Sequence, residues 1–302
     1  VKLASIDIGS NSVRHLTVEE EKGILKYISS SSMITRVTEG IKEGSTFLKD
    51  SAVDRTERTL TSINETLDAD GVEVNNRHFF ATESLRAASN YDEVLRKLKK
   101  TTASDIEIIS GKEEAKRSFI GAASSFGRDS LVFDLGGGSM EVSTESENFS
   151  YPIGAVRTTN LFGTNHPEKV RQYVLHAIEG LDSIPVKRVV GVGGTSSSIA
   201  MMLKEIEIFK YSPSLIHGYE VHIEDLFFLS DRFASLPHLK DEQIGLDPRR
   251  RDIIDTGMCT IYTLLRFLGV SSYIHSETGL LWGTIIQLLA GKDIEFKDIV
   301  FE

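Results

Sequence analysis

The apolar positions of this chain fall into short runs separated by amphipathic stretches, and the order of those stretches occurs twice. Ser5-Ile6-Asp7-Ile8-Gly9-Ser10-Asn11-Ser12 and Val132-Phe133-Asp134-Leu135-Gly136-Gly137-Gly138-Ser139 each read as an apolar strand that ends in Asp, one apolar residue, then glycine and small polar residues. After the first, residues 13–18 alternate loosely, Glu21-Lys22-Gly23 reads as a turn and residues 24–29 as a returning strand. After the second, residues 140–144 and 150–154 form a like antiparallel pair.

Each half continues with an amphipathic helix. Val53, Leu60, Ile63 and Leu67 mark its stripe in the first half; Val170, Tyr173, Val174, Ala177, Ile178 and Leu181 mark it in the second, with Pro167 at a start where a missing N–H does no harm. Strand and helix then alternate: 77–81 into 83–89 and 105–109 into 113–124, matched by 188–192 into 196–203 and 272–275 into 279–289. Antiparallel hairpins followed by alternating β and α predict an α/β fold, a mixed five-stranded sheet flanked by helices in each half. Two copies of one βββαβαβα unit are expected, domains 1–123 and 124–302, with a cleft between them. The change of composition around Gly121, Ser124, Ser125 and Gly127 suggests that boundary, and no low-complexity linker interrupts the chain.

Composition narrows the function. The 302 residues carry 34 Lys+Arg against 44 Asp+Glu, a net charge of −10, which disfavours bulk binding to nucleic acid or to an anionic membrane. No apolar run reaches the ~18 residues of a membrane span, and no basic segment with a small-residue cleavage site precedes the first strand. The single cysteine, Cys259, rules out an internal disulfide or a cysteine zinc cluster and suits a reducing, cytoplasmic setting; it is expected in the core.

The chemistry rests on three glycine loops. Gly136-Gly137-Gly138-Ser139 alone would read as a tight hairpin, but its repetition at Gly9 to Ser12 suggests two loops that grip phosphate through backbone N–H groups. Neither is a Walker or dinucleotide fingerprint, because each leads into a strand. Gly193, Gly194 and Thr195 form the third, at a helix start suited to an anion or a nucleotide edge, with ordinary serine capping as the plain alternative. Asp7, Asp134 and Glu141 are candidate ligands for a bridging Mg²⁺ (or Mn²⁺). Glu113 and Glu114 open a helix where acidic residues commonly complement the dipole, and either could instead orient a water for attack on phosphorus. Arg14, Arg86, Arg157 and the run Arg249-Arg250-Arg251 are candidate phosphate forks. His217 and His275 lack metal-ligand spacing and are read as structural or rim residues.

These residues together resemble the exopolyphosphatase/guanosine pentaphosphate phosphohydrolase family of the actin, Hsp70 and sugar kinase superfamily. The resemblance spans the chain through DIGSNSVR (7–14), ATESLRAASN (81–90), IEIISGKEEA (106–115), DLGGGSME (134–141), IGAVR (153–157), GVGGTSSSIA (191–200), IHGY (216–219) and LDPRRRDIIDTG (246–257). It implies two tandem RNase H-like (actin-like ATPase) domains and hydrolysis of the terminal phosphoanhydride of polyphosphate, of pppGpp, or of both. It further implies Glu114 as catalytic base beside Glu113, Asp134 and Glu141 at the divalent cation, and Ser10, Asn11, Ser12, Arg14 and Gly136 to Ser139 at phosphate. The expected ligand is polyphosphate or a guanosine penta- or tetraphosphate, and a homodimer is compatible with the sequence. A kinase using ATP and a slowly hydrolysing pppGpp or polyphosphate sensor are the competing readings. Two departures stand out: Leu281 occupies the arginine position of a family Gly-Leu-Arg run, and the sequence ends at Glu302 without the helical extension of long members, which weakens the expectation of a processive grip.

Overall fold

A computed structural model describes residues 1–39, 46–164, 166–181, 186–292 and 294–301. The described residues form twelve strands: β1 (Lys2–Ile8), β2 (Ser12–Glu21), β3 (Ile24–Ile34), β4 (Arg77–Ala81), β5 (Ile106–Ile108), β6 (Ser130–Leu135), β7 (Met140–Ser143), β8 (Asn148–Tyr151), β9 (Arg188–Val192), β10 (Glu220–His222), β11 (Ser272–His275) and β12 (Asp298–Val300). They form two mixed sheets, ordered β12-β3-β2-β1-β4-β5 and β10-β11-β9-β6-β7-β8. The shared order is the expected repeat, since β3-β2-β1-β4-β5 corresponds to β8-β7-β6-β9-β11. Each sheet has six strands where five were expected. The sixth is added at opposite edges: β12 runs parallel to β3, whereas β10 runs antiparallel to β11.

The central strands are the repeated apolar runs, and position in the sheet explains their composition. All six residues of β6 are buried, as are six of the seven in β1. A strand covered on both faces cannot alternate with water-facing residues. β3 extends past the expected end through the serine tract 29–32, because those hydroxyls have partners. Ser31 Oγ lies 2.7 Å from His15 Nδ1, and Ser29 donates to Asp70 Oδ2 at 2.5 Å.

The chain divides into two compact units, Val1–Ser125 with Leu280–Glu302, and Phe126–Gly279. The expected domain 124–302 therefore gives up its last 23 residues, Leu280–Glu302, to the first unit. In that unit the helix Asp50–Ala69 buries Val53, Thr56, Leu60, Ile63 and Leu67 on the sheet face formed by Ala4, Ile6 and Ile8. On the opposite face Leu3, Leu16, Val18 and Leu25 pack against Trp282, Ile285 and Leu289 of the helix Leu280–Ala290. Ser5 on that face also donates to the Leu281 carbonyl at 3.0 Å. Periodicity shows that this helix has an apolar stripe; only packing shows which sheet it covers.

The main core of the second unit runs from Leu131, Phe133 and Val142 of the sheet to Ile199, Met258, Ile261 and Leu265 of the helices Gly193–Leu203 and Ile254–Leu268. Cys259 belongs to it, as expected, and burial raises its thiol pKa. No helix among the described residues is long and apolar enough to cross a membrane.

Candidate functional site

In the first unit, register brings three segments to one sheet edge. Ile8 of β1 aligns with Ala81 of β4, and Ala81 with Ile108 of β5, so the parallel strands end level. The chain leaving those ends supplies Gly9 to Asn11, the segment up to Arg86, and the start of the helix Gly111–Phe126. Such carboxyl ends are where open α/β sheets bind ligands.

The β1–β2 turn is closed by Gly9 N–H donating to the Ser12 carbonyl at 3.0 Å. Ser10, Asn11 and Ser12 are all buried. The Asn11 carbonyl accepts from the backbone N–H groups of Thr35 and Arg36, at 3.0 and 2.9 Å, which pins the loop. Its carboxamide has a different standing: neither Oδ1 nor Nδ2 has a hydrogen-bond partner among the described residues, although both are buried. A buried amide left unmatched costs ~1–3 kcal/mol, so this side chain marks a place where a further polar group belongs. Asp7 and Arg14 face each other across β1 and β2, and the Arg14 Nε and guanidinium nitrogen reach Asp7 Oδ2 at 2.9 and 2.5 Å. Asp7, expected as a metal ligand, is paired through Oδ2 with Arg14 beside the β1–β2 turn.

The two glutamates separate cleanly. Ser110 caps their helix, accepting Glu113 N–H at Oγ (3.1 Å) and Glu114 N–H at its carbonyl (2.9 Å). Glu113 spends Oε1 on Arg117 and on Gln287 Nε2, each at 2.9 Å, while Arg117 also forks onto Glu107 at 3.0 and 2.8 Å. Burial pushes the Glu113 carboxyl up, but the hydrogen bonds from Gln287 and Arg117 outweigh it and leave it below the ordinary carboxylate value. Glu113, expected beside Glu114 as a catalytic group, is built into a structural ion-pair network. Glu114 is 7% exposed, on the same first turn. Arg86 Nη1 donates to the Ile109 carbonyl at 2.6 Å, which sets its guanidinium against the segment leading to that turn.

The second unit repeats the hairpin. Gly136 N–H donates to the Ser139 carbonyl at 3.0 Å, the same closure and distance as in the first. Here the strand-end aspartate Asp134 faces Glu141 instead of an arginine. Both are buried, and Glu141 accepts from Ser150 at 2.7 Å. The loop carbonyls of Gly136, Gly137 and Gly138 accept from Ala155 N–H (2.9 Å), Arg157 N–H (3.0 Å) and Arg157 Nε (2.8 Å). Because trans peptides set each N–H opposite the preceding carbonyl, the amides of Gly137, Gly138 and Ser139 are turned away from residues 155–157. The result is a row of N–H groups on one side, the geometry of an anion cradle.

The third loop lies against this hairpin. Gly193 has φ +86°, and a Cβ there would sit 2.3 Å from Asp134 Oδ1, so only glycine fits. Thr195 Oγ1 is 3.4 Å from the Leu135 carbonyl. Of the basic run, Arg249 is held by Asp247 (3.0 and 2.7 Å) and Arg251 by Asp241 (3.0 Å), whereas the Arg250 guanidinium lies 2.5–2.9 Å from where a Gly194 Cβ would be. Sequence singles out the run but not the member that lies against the glycine turn, which packing decides. Gly154, against whose Cβ position the Gly137 carbonyl would lie at 2.1 Å, carries no signal in the sequence beyond its place in IGAVR.

Among the described residues no group of three or more His, Cys, Asp or Glu side chains is arranged to hold a metal. Asp134 and Glu141 nonetheless fit Mg²⁺, which commonly takes one or two carboxylates and completes its shell with water and substrate oxygens.

Two mixed sheets carrying the same glycine hairpin, with a third glycine turn and arginines beside the second, define an α/β protein of the actin-like ATPase superfamily. A family model described as the Ppx/GppA phosphatase family matches residues 16–291. The chain belongs to that family. It is similar to a bifunctional 3-dehydroquinate synthase/phosphatase of Fusobacterium nucleatum, 30% identical over 96% of this chain, of which it spans only 47%. It is also similar to exopolyphosphatase 2 of Mycobacterium tuberculosis, 28% identical over 95% of this chain and 98% of the relative. The crystal structure of the Aquifex aeolicus Ppx/GppA family member superposes with a TM-score of 0.80 at 25% identity, covering 97% of this chain and 99% of that one.

Proposed function

We propose that this chain is a phosphoanhydride hydrolase that releases terminal orthophosphate from inorganic polyphosphate, from pppGpp, or from both. The observation that carries the reading is the first-unit sheet edge, where a buried carboxylate, Glu114, shares the ends of β1, β4 and β5 with the Gly9–Asn11 loop and Arg86. Glu113 is bound to Arg117 and Gln287 in an ion-pair network, and Glu114, buried on the same first turn, is read as the group that handles the water proton.

In this mechanism Ser10, the Asn11 carboxamide and Ser12 hold oxygens of the terminal phosphate, and Arg14, steadied by Asp7, offsets its charge. Glu114 orients water toward phosphorus and takes its proton as the P–O bond to the leaving chain breaks. Gly136 to Ser139, the Gly193–Thr195 turn and Arg250 hold phosphate oxygens in the second unit. Asp134 and Glu141 would hold Mg²⁺, which when bound neutralises phosphate charge. Phosphoryl transfer asks mainly for positioning and charge stabilisation, and loops, forks and one base supply both.

The test is phosphate release from tripolyphosphate, long polyphosphate and pppGpp by the wild type and by Glu114→Gln. Loss of turnover by about 10²–10⁴-fold with ligand binding retained is the expected result; unchanged turnover would remove Glu114 from its role.

A further inference from the structure

A buried polar cluster at the end of β11 takes no part in the mechanism above. Glu277 accepts at Oε1 from His275 Nε2 and from the Ser197 hydroxyl, both at 2.9 Å, and at Oε2 from the Tyr211 hydroxyl at 2.7 Å. His275 Nδ1 lies 2.7 Å from the Ser196 hydroxyl. The Glu277 N–H donates to His217 Nδ1 at 3.1 Å, so that nitrogen is an acceptor and His217 is neutral.

The order Ser196, His275, Glu277 is that of a nucleophile, a base and its orienting carboxylate. Nucleophilic chemistry is closed to it, because Ser196 and His275 are both 0% exposed. What the cluster does touch is informative. Ser196 and Ser197 stand in the first turns of the helix Gly193–Leu203, directly after the glycine turn. The Ser197 hydroxyl lies 3.2 Å from the Gly193 carbonyl and 2.9 Å from Glu277 Oε1 and shares its one proton between the two acceptors, which ties the carboxylate to the first residue of the turn. Asp134 packs on Gly193 from the hairpin side. The glycine turn is thus braced by a carboxylate on each side. Burial of the mostly enclosed Glu277 carboxylate (13% exposed) pushes its pKa up, but the hydrogen bonds from His275, Tyr211 and Ser197 and the nearby His275 charge outweigh it and leave it below the ordinary value.

We infer that Glu277 is a positioning residue: through Ser197, and through His275 to Ser196, it holds the Gly193–Thr195 turn in its phosphate-accepting shape, with Tyr211 closing the carboxylate from solvent. The functional half of this inference rests on the reading of that turn as a phosphate loop; the bracing itself does not.

The test uses Glu277→Gln, which keeps size but removes charge, and Tyr211→Phe, a change on an exposed side chain that leaves folding intact. Amide hydrogen exchange on the ligand-free protein compares residues 193–195 with β6, and steady-state kinetics use tripolyphosphate. Losing a charged hydrogen bond corresponds to about a tenfold effect, so Glu277→Gln should speed exchange in the turn about tenfold while β6 is unmoved. KM for tripolyphosphate should rise about tenfold at nearly constant kcat, and Tyr211→Phe should move both readouts the same way but less. Unchanged exchange in the turn, equal loosening throughout the second unit, or a fall in kcat at constant KM would each overturn the assignment. If the wild type does not hydrolyse tripolyphosphate, the proposed function falls, and the exchange comparison still decides the bracing. If Glu277→Gln does not fold, Tyr211→Phe decides it by the same comparison.

Discussion

Gly154→Ala is the most direct probe of the hairpin loop, because it adds one methyl group and no charge. The new Cβ would lie 2.1 Å from the Gly137 carbonyl oxygen, 2.2 Å from its carbon and 2.3 Å from Gly138 nitrogen. Relief of contacts so short needs a shift of about 1 Å between two backbones, since atoms pack comfortably only near 3.5 Å. That shift would part the bonds from Ala155 and Arg157 to the carbonyls of Gly136 and Gly137, now 2.9 and 3.0 Å. Overpacking of this kind costs about 1–3 kcal/mol of stability. A 1 Å displacement of positioning groups costs about 10²-fold in rate, so activity should suffer more than folding. The assay pairs urea unfolding with kcat/KM for phosphate release. Gly291→Ala serves as control, since its nearest contact would be an ordinary 3.5 Å. Wild-type kcat/KM in Gly154→Ala would refute the claim that these carbonyl contacts shape the loop.

Trp282→Ala should destabilise the first unit by about 3–5 kcal/mol, the usual cost of emptying a large core site, with faster hydrogen exchange in β1 and β2 but not in β6. His217 makes stability depend on pH: burial, then nearby His275, lowers its pKa from 6.5 to about 4. Between those values the unfolded chain binds the extra proton, so stability is complete above about pH 6.5 and falls as pH drops toward 4. The loss is on the order of 2 kcal/mol after discounting for partial exposure, and it should vanish from the pH–urea profile of His217→Gln. If Asp134 holds Mg²⁺, Mg²⁺ should raise the thermal unfolding midpoint of the wild type, and Asp134→Asn should need about tenfold more Mg²⁺ for the same shift; an equal requirement would exclude Asp134 as a ligand.

Much of the fold is legible in the sequence because it repeats a local pattern. Residues 5–12 and 132–139 announce the same strand and hairpin, and both turns close with the same hydrogen bond. The helical stripes at Val53 to Leu67 and at Val170 and Val174 are buried as their spacing requires. The sixth strands were illegible: β10 and β12 are three residues each, too short to carry a period, and exist as strands only because a neighbouring edge pairs with them. Of the site, residue types and loops could be read, but not which of two adjacent glutamates is consumed by an ion pair or which of three adjacent arginines meets a glycine turn.

The division has one physical origin. Hydrophobic period, turn chemistry and glycine content act over a few residues, so the sequence by itself determined the paired α/β units, the three glycine loops and the set of acidic and basic groups. Long-range packing and pairing decided the rest. Trp282, Ile285 and Leu289 carried the last helix to the first unit's sheet, Arg117 and Gln287 claimed Glu113, and Arg14 claimed Asp7 while Asp134 was set opposite Glu141. The packing of Trp282 and the Gln287–Glu113 bond need partners far along the chain, while Arg14–Asp7 and Asp134–Glu141 need the hairpin register, and both are set only by the folded backbone.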